Sequence, residues 1–187
     1  ADTIEAGRER RANTPNQARH FLDTMRGLFR WAKKAGFVKV DPTAGVENPA
    51  KEKTEGFVVW REEDMAAYEA RWPLGTRQRV WLDVIAYTGL RRGDAVRLGR
   101  QHVRKGVASI KTEKSGYTVE VNLPILPILR ATLDAGPCGD LAFICGVRGG
   151  PLTKESFGNY FKRACKDAGV NVPKQAAHGL RKIAATR

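Results

Sequence analysis

The strongest constraint in this chain is a change of period. Tyr117, Val119, Val121 and Leu123 alternate with polar neighbours, and they follow Val107-Ala108-Ser109-Ile110 across Glu113-Lys114-Ser115-Gly116. Side chains two residues apart share a face of a strand and not of a helix, so this tract predicts a β-hairpin. On both sides of it the apolar residues recur at three and four instead. The chain is therefore expected to be mainly α with a small antiparallel β-sheet.

Before the hairpin, Ala18, Phe21, Leu22, Met25, Leu28, Phe29 and Ala32 form the stripe of an amphipathic helix running from Thr14 to Ala35. Thr14 suits its cap, Pro15 its first position and Gly36 its exit. The other face carries Arg19, Arg26, Arg30 and Lys33, a basic row placed to track a nucleic-acid backbone. Trp60 precedes an acidic first turn, Arg61-Glu62-Glu63-Asp64, with Met65 and Tyr68 expected to be buried. Val80, Trp81, Val84 and Ile85 mark one face of the next helix, which closes at Thr88-Gly89. A short helix is expected from about Arg92 to Leu98. After the hairpin, Ile128, Leu129 and Leu133 suggest a helix running towards Gly136. Residues 153–168 carry the stripe Phe157, Tyr160, Phe161, Ala164, Cys165 and Ala168, stopped by Gly169.

Residues 42–56 hold Pro42, Gly45, Pro49 and Gly56 among alternating charges and show no apolar period, the signature of a linker. The division expected is a partial helical domain at 1–48, a linker at 49–56 and a larger domain at 57–187. The first piece is short for an independent core and reads as the end of a larger helical domain. No apolar run approaches the roughly 20 residues of a bilayer span, and no signal peptide is legible, so a cytoplasmic protein without a membrane partner is expected. Cys138, Cys145 and Cys165 have neither zinc-site spacing nor an even count for disulfides; they are expected to be reduced, and no metal or other cofactor is required. Lysine and arginine total 33 against 20 acidic residues, a net charge of +13. A surplus of that size favours a polyanionic partner, because each phosphate neutralised releases condensed counterions.

Two short motifs carry the chemistry. In Thr88-Gly89-Leu90-Arg91-Arg92-Gly93-Asp94, one helix ends at the glycine and the next begins at once, which would set Arg91 on a tight junction between packed helices. Asp94, three residues on, shares a helical face with Arg91 and is placed to orient its guanidinium. In His178-Gly179-Leu180-Arg181 the imidazole and guanidinium also stand three apart, on one face of a helix. Two arginines from distant segments suit a phosphodiester reaction without a metal, because the planar guanidinium fork matches phosphoryl oxygens that gain charge. Arg92 is expected to meet backbone phosphate or solvent, and His20 and His102 have no motif around them.

Taken together, and in this order, the segments resemble the tyrosine recombinase, or phage integrase, family over essentially the whole chain. Thr88-Gly89-Leu90-Arg91 matches the first arginine box and His178-Gly179-Leu180-Arg181 the second. Thr112-Glu113-Lys114-Ser115-Gly116 resembles the family's hairpin-turn lysine motif. Phe29-Arg30-Trp31-Ala32, followed by Gly36 and Asp41-Pro42, resembles the end of the family's amino-terminal domain. The resemblance implies a tyrosine recombinase (DNA breaking-rejoining) catalytic fold preceded by part of a helical SAM-like core-binding domain, the two closing on duplex DNA as a C-shaped clamp.

The resemblance also implies roles. Arg91 and Arg181 would hold the scissile phosphate, Lys114 would protonate the 5′-hydroxyl leaving group, with Lys111 as its rival, and His178 would assist proton transfer at the nucleophile. Asp94 would support Arg91, and Arg19, Arg26, Arg30, Lys33 and Arg92 would contact DNA. The implied activity is site-specific recombination of double-stranded DNA by metal-independent transesterification. The full-length parent would work as a tetramer on paired sites, in a bacterial nucleoid and from a phage or other mobile element. The family's nucleophilic tyrosine lies beyond the second box, whereas Tyr68, Tyr87, Tyr117 and Tyr160 all precede it, so this chain alone is expected not to cleave. A non-catalytic protein occupying recombination sites is the main alternative, and a type IB topoisomerase relative a third.

Overall fold

Helix α1, Asp2–Glu9, is unexpected, because Ile4 is the one residue it buries. It packs on α2, Pro15–Lys34, where Ile4, Leu22 and Val46 make a small core flanked by Phe21, Met25 and Phe29. The approach is close at Gly7, where a Cβ would stand 2.5 Å from Phe21 Cζ. Pro15 opens α2 as its fixed φ allows. Thr14 caps differently from expectation: its hydroxyl donates to the Arg11 carbonyl and to Gln17, not accepting from the helix. Gly36, at φ 78°, turns the chain out, and Phe37 N–H donates back to the Ala32 carbonyl at 2.9 Å. Asp41 then accepts from the Thr43 hydroxyl and N–H, and these bonds hold its carboxyl below the usual range.

The computed structural model describes residues 2–50, 58–170 and 177–183, and by its contacts the chain divides into two units, Ala1–Glu55 and Gly56–Arg187. Most of the expected linker, from residue 51 on, lies outside the described residues. The second unit runs α3 (Glu62–Arg71), α4 (Arg77–Thr88), α5 (Arg92–Ala95), β1 (Val103–Arg104), β2 (Val107–Lys111), β3 (Glu120–Pro124), α6 (Pro127–Ala135), α7 (Lys154–Asp167) and α8 (Ala177–Ile183). This is the mainly helical architecture with a small antiparallel sheet. The sheet has the order β1-β2-β3, with Ala108 opposite Leu123 and Ile110 opposite Val121.

Helix α4 differs from its expected single apolar face. Every residue from Val80 to Ala86 is buried, Asp83 among them, so the helix is walled in all round. Asp83 is tolerated because Arg79 Nε donates to it at 2.9 Å and the Thr132 hydroxyl of α6 at 2.5 Å. Around α4 lie Trp60, Met65, Tyr68, Phe157, Phe161 and Leu180, so the expected burial of Met65 and Tyr68 holds. Helix α5 is shorter than the expected span to Leu98. After Ala95 the chain tightens into turns, Arg97 N–H to Asp94 O and Leu98 N–H to Ala95 O, and the Leu98 carbonyl accepts from Phe143 N–H instead of from a continuing helix. Tyr160, expected within the buried stripe of α7, is half exposed. Among the described residues no helix is long and apolar enough to cross a membrane.

Candidate active site

Arg91 is fixed by how α4 ends. Gly89 adopts the left-handed conformation at φ 61°, which a Cβ would strain, and its N–H donates to the Ile85 carbonyl at 2.9 Å. The Thr88 hydroxyl bonds back to the Val84 carbonyl and accepts from Leu90 N–H at 3.3 Å. Arg91 follows as the extended N-cap of α5, its carbonyl accepting from Asp94 and Ala95 N–H at 2.9 and 2.8 Å. The arginine thus stands on a junction between two helices, the first of them buried on every side.

His178 and Arg181 lie on α8, which buries Ala177, Gly179, Leu180 and Ile183. Gly179 has a steric reason: a Cβ there would collide with the Val58 carbonyl, and it lies 3.5 Å from Trp60. That close seating aims the intervening positions outward. The electrostatics bring the motifs together. Partial burial lowers the His178 pKa, and Arg181, Arg91 and Lys182 lower it further. Arg181 is lowered by burial and by Arg91, with Asp94 opposing. Arg91 therefore acts on both residues of the second motif, although 87 positions separate it from His178 in the sequence. The charged form of the imidazole is disfavoured beside these guanidinium groups, and an arriving phosphate would offset the cations that crowd it.

Lys114 sits on a 3-10 turn, Glu113–Ser115, at the tip of the hairpin, and its side chain is exposed. Left-handed Gly116 and Tyr117, and the Thr112–Ser115 hydroxyl pair at 3.0 Å, shape the turn. Asp94, only 1% exposed, reaches it: Oδ1 accepts from Glu113 N–H at 2.8 Å and from Arg97 Nη2 at 2.9 Å. Asp94 therefore ties the lysine turn to α5, a different task from the expected orienting of Arg91, since its hydrogen bonds go to Arg97 and Glu113. The rival, Lys111, ends β2, and its carbonyl accepts from Arg97 at 2.6 Å.

Several neighbours of the site were not singled out from sequence. Glu113 Oε1 accepts from Lys154 of α7 at 2.5 Å, which raises the Lys154 pKa. Gly93 leaves room for that carboxylate, which a Cβ would strike. Arg97 also lies over the Tyr117 ring at 4.8 Å. Arg92 is exposed and rests against α7, where a Cβ on Gly158 would stand 2.5 Å from its Nη1. The RRGD and EKSG segments carried the signal, but only their partners in space reveal it.

In the first unit the basic row divides. Arg19 donates to the Pro49 carbonyl at 2.6 Å and Arg26 to the Val46 carbonyl at 2.7 Å, so both brace the segment after α2. Arg30 and Lys33 are exposed and lie near enough to Asp41 to lower it. His102 Nδ1 accepts from Gly99 N–H at 3.1 Å, a structural bond, and His20 is exposed.

The model of the phage integrase family matches residues 62–187. Tyrosine recombinase XerD of Pseudomonas aeruginosa is 29% identical over 185 residues, which cover 89% of this chain and 59% of that protein. XerD of Xanthomonas axonopodis pv. citri is 28% identical over 198 residues, covering 94% and 64%. The chain thus spans 59% to 64% of the length of these relatives. Among solved structures, a lambda integrase dimer bound to a COC′ core site superposes with a TM-score of 0.80 at 22% identity, over 98% of this chain and 71% of that one. A lambda integrase tetramer bound to a Holliday junction gives 0.81 at 23%, over 98% and 57%.

Proposed function

Because the chain belongs to the phage integrase family, we propose that it forms the DNA-gripping and phosphate-activating part of a site-specific recombinase acting on double-stranded DNA. The observation that carries this reading is the shared electrostatic field of Arg91, His178 and Arg181, drawn from two distant motifs. Arg91 and Arg181 bind the non-bridging oxygens of the scissile phosphate and stabilise the charge gained in the pentavalent transition state. His178 accepts the proton of an attacking tyrosine hydroxyl. The tyrosine oxygen bonds to phosphorus as the bond to the 5′-oxygen breaks, and Lys114 supplies the proton that makes this oxygen a hydroxyl. Religation is the reverse, without an external energy source.

DNA contacts outside the centre are assigned to Arg30, Lys33 and Arg92, with Arg19 and Arg26 contributing whatever donors their backbone bonds leave. The parent is proposed to act as a tetramer on paired sites, in the bacterial cytoplasm at the nucleoid, and to belong to a phage or other mobile element. The two-domain division, with core-binding residues before the linker and catalytic residues after it, belongs to the same reading. The tyrosine is left to a part of the parent outside these 187 residues, since all four tyrosines here precede His178. The second reading is a protein that occupies recombination sites without cutting.

The test uses a nicked duplex that traps covalent adducts. The chain is expected to shift the duplex and to leave no adduct. In a parent carrying a tyrosine beyond Arg181, Arg91→Ala or Arg181→Ala should lower cleavage by about 100-fold or more. Cleavage near the wild-type rate in either variant overturns the site assignment; a parent without any cleavage establishes the second reading.

A further inference from the structure

At the end of α4 remote from Arg91 lies a cavity of about 560 Å³, built wholly within the second unit and unused by the proposed reaction. Arg77 opens α4 and Arg91 follows its end, so roughly 18 Å of helix separates the two at 1.5 Å per residue. The cavity's volume lies in the range of small-ligand sites.

Two kinds of side chain meet there. Trp72, Trp81 and Tyr160 supply ring surface. The indole edges are pinned: Trp72 Nε1 donates to the Ala164 carbonyl at 3.1 Å and Trp81 Nε1 to the Cys145 carbonyl at 3.3 Å. Arg71 covers Trp72 at 4.3 Å, and Tyr160 lies 6.3 Å from Trp81 with half its surface open. Trp81 is only 6% exposed and Arg71 lies over Trp72, so Tyr160 offers the open ring face and the pinned indoles back it. The second kind is cationic: Arg77, Arg148 and Arg163 line the same cavity against a single carboxylate, Asp167. Arg77 Nε is buried and, among the described residues, has no hydrogen-bond partner. Arg77 Nη2 reaches the Val147 carbonyl at 3.4 Å, and three guanidinium groups against one carboxylate leave the lining net cationic, which favours an anion.

We propose that this cavity is a binding site for a nucleotide, its base stacked among the aromatic rings and its phosphate held by the arginines. A flat ring carrying a negative charge matches both halves of the lining, since bases stack on aromatic faces without sequence preference and guanidinium forks fit phosphate. A purely apolar ligand would leave the arginines unmatched, and bare phosphate would leave the rings unused. The site stands apart from the recombinase reading, because it shares none of that reading's residues.

The test is a titration of the whole chain with dAMP, deoxyadenosine and inorganic phosphate, followed by tryptophan emission. Saturable binding of dAMP is expected, with each half-ligand at least about tenfold weaker. Arg163→Glu and Tyr160→Ala, both at exposed positions of α7, should each weaken dAMP about tenfold while circular dichroism and duplex binding stay unchanged. Competition by a duplex with a 5′-phosphorylated single-stranded overhang, but not by a blunt one, identifies a strand end as the source; competition by neither identifies free nucleotide. No saturation by roughly 10 mM dAMP overturns the proposal. So does binding that survives both α7 variants but disappears in Arg91→Ala. Self-association that depends on Tyr160 and ignores dAMP also overturns it, by making a second copy the occupant.

Discussion

Asp94 Oδ1 accepts a hydrogen bond from Glu113 N–H at 2.8 Å, joining the helix that Arg91 caps to the turn that carries Lys114. The acceptor is a buried carboxylate that also holds Arg97. Asp94→Ala should therefore cost about 2 kcal/mol of stability, with Asp94→Asn costing less, because the amide oxygen can still accept from Glu113. Amide exchange reports the local effect: the Glu113 N–H should exchange faster in the alanine variant. Unchanged protection there would mean that the tether does not hold the turn.

The two glycines of the motifs predict opposite severities. Gly179→Ala drives a Cβ into the Val58 carbonyl, which is backbone, whereas Gly93→Ala meets the end of the Glu113 side chain, which can swing away from Lys154. Alanine itself favours a helix by about 1 kcal/mol over glycine. Gly179→Ala should still lose about 2 kcal/mol from overpacking, while Gly93→Ala should be close to neutral. Denaturant midpoints measured on both variants decide the matter, and equal losses would contradict the difference in packing.

His178 should titrate below the ordinary histidine value of about 6.5. Burial and the nearby Arg181 and Arg91 disfavour its charged form, so removing a guanidinium with Arg181→Gln should raise the midpoint, and binding a duplex should raise it as well. For stability the sign is the reverse of a paired histidine. The folded value lies below the unfolded one, so this group's contribution is present at pH above the unfolded value and lost as pH falls through the folded one. Imidazole resonances followed by NMR against pH supply the check; a midpoint indifferent to Arg181→Gln would mean that this guanidinium does not act on the imidazole.

Duplex affinity should fall steeply with salt. Replacing Arg30 or Lys33 by glutamine should reduce the slope of log K against log salt by about 1 for each phosphate no longer neutralised. Arg26→Gln should instead lower the stability of the first unit, because its guanidinium holds the Val46 carbonyl. Binding isotherms at several salt concentrations, set beside melting curves, distinguish the two classes.

Much of the fold was legible in the sequence where the local signal and the tertiary role coincide. The period change at 107–123 marked the hairpin, and the Thr88-Gly89 stop set Arg91 on its junction. β1 was too short, at two residues, to show a period, and α1 buries only Ile4. The all-round burial of α4 was hidden by Arg79 and Asp83, whose polarity mimics a solvated face until Thr132 is seen beside them. The partners of Asp94 were illegible for a related reason: Arg97 lies as near in sequence as Arg91 does, and Glu113 belongs to another element. Lys154 and Gly158 owe their place near the site to the packing of α7 on α5, which no local pattern encodes.

The arginine at the end of α4 grows from a helix shut away from solvent, while the Lys114 turn hangs partly on the Glu113–Lys154 pair, whose two side chains are about 40% open. Counterions reach the second anchorage and not the first. Rising ionic strength should thus slacken the Lys114 turn before it disturbs the junction on which Arg91 stands.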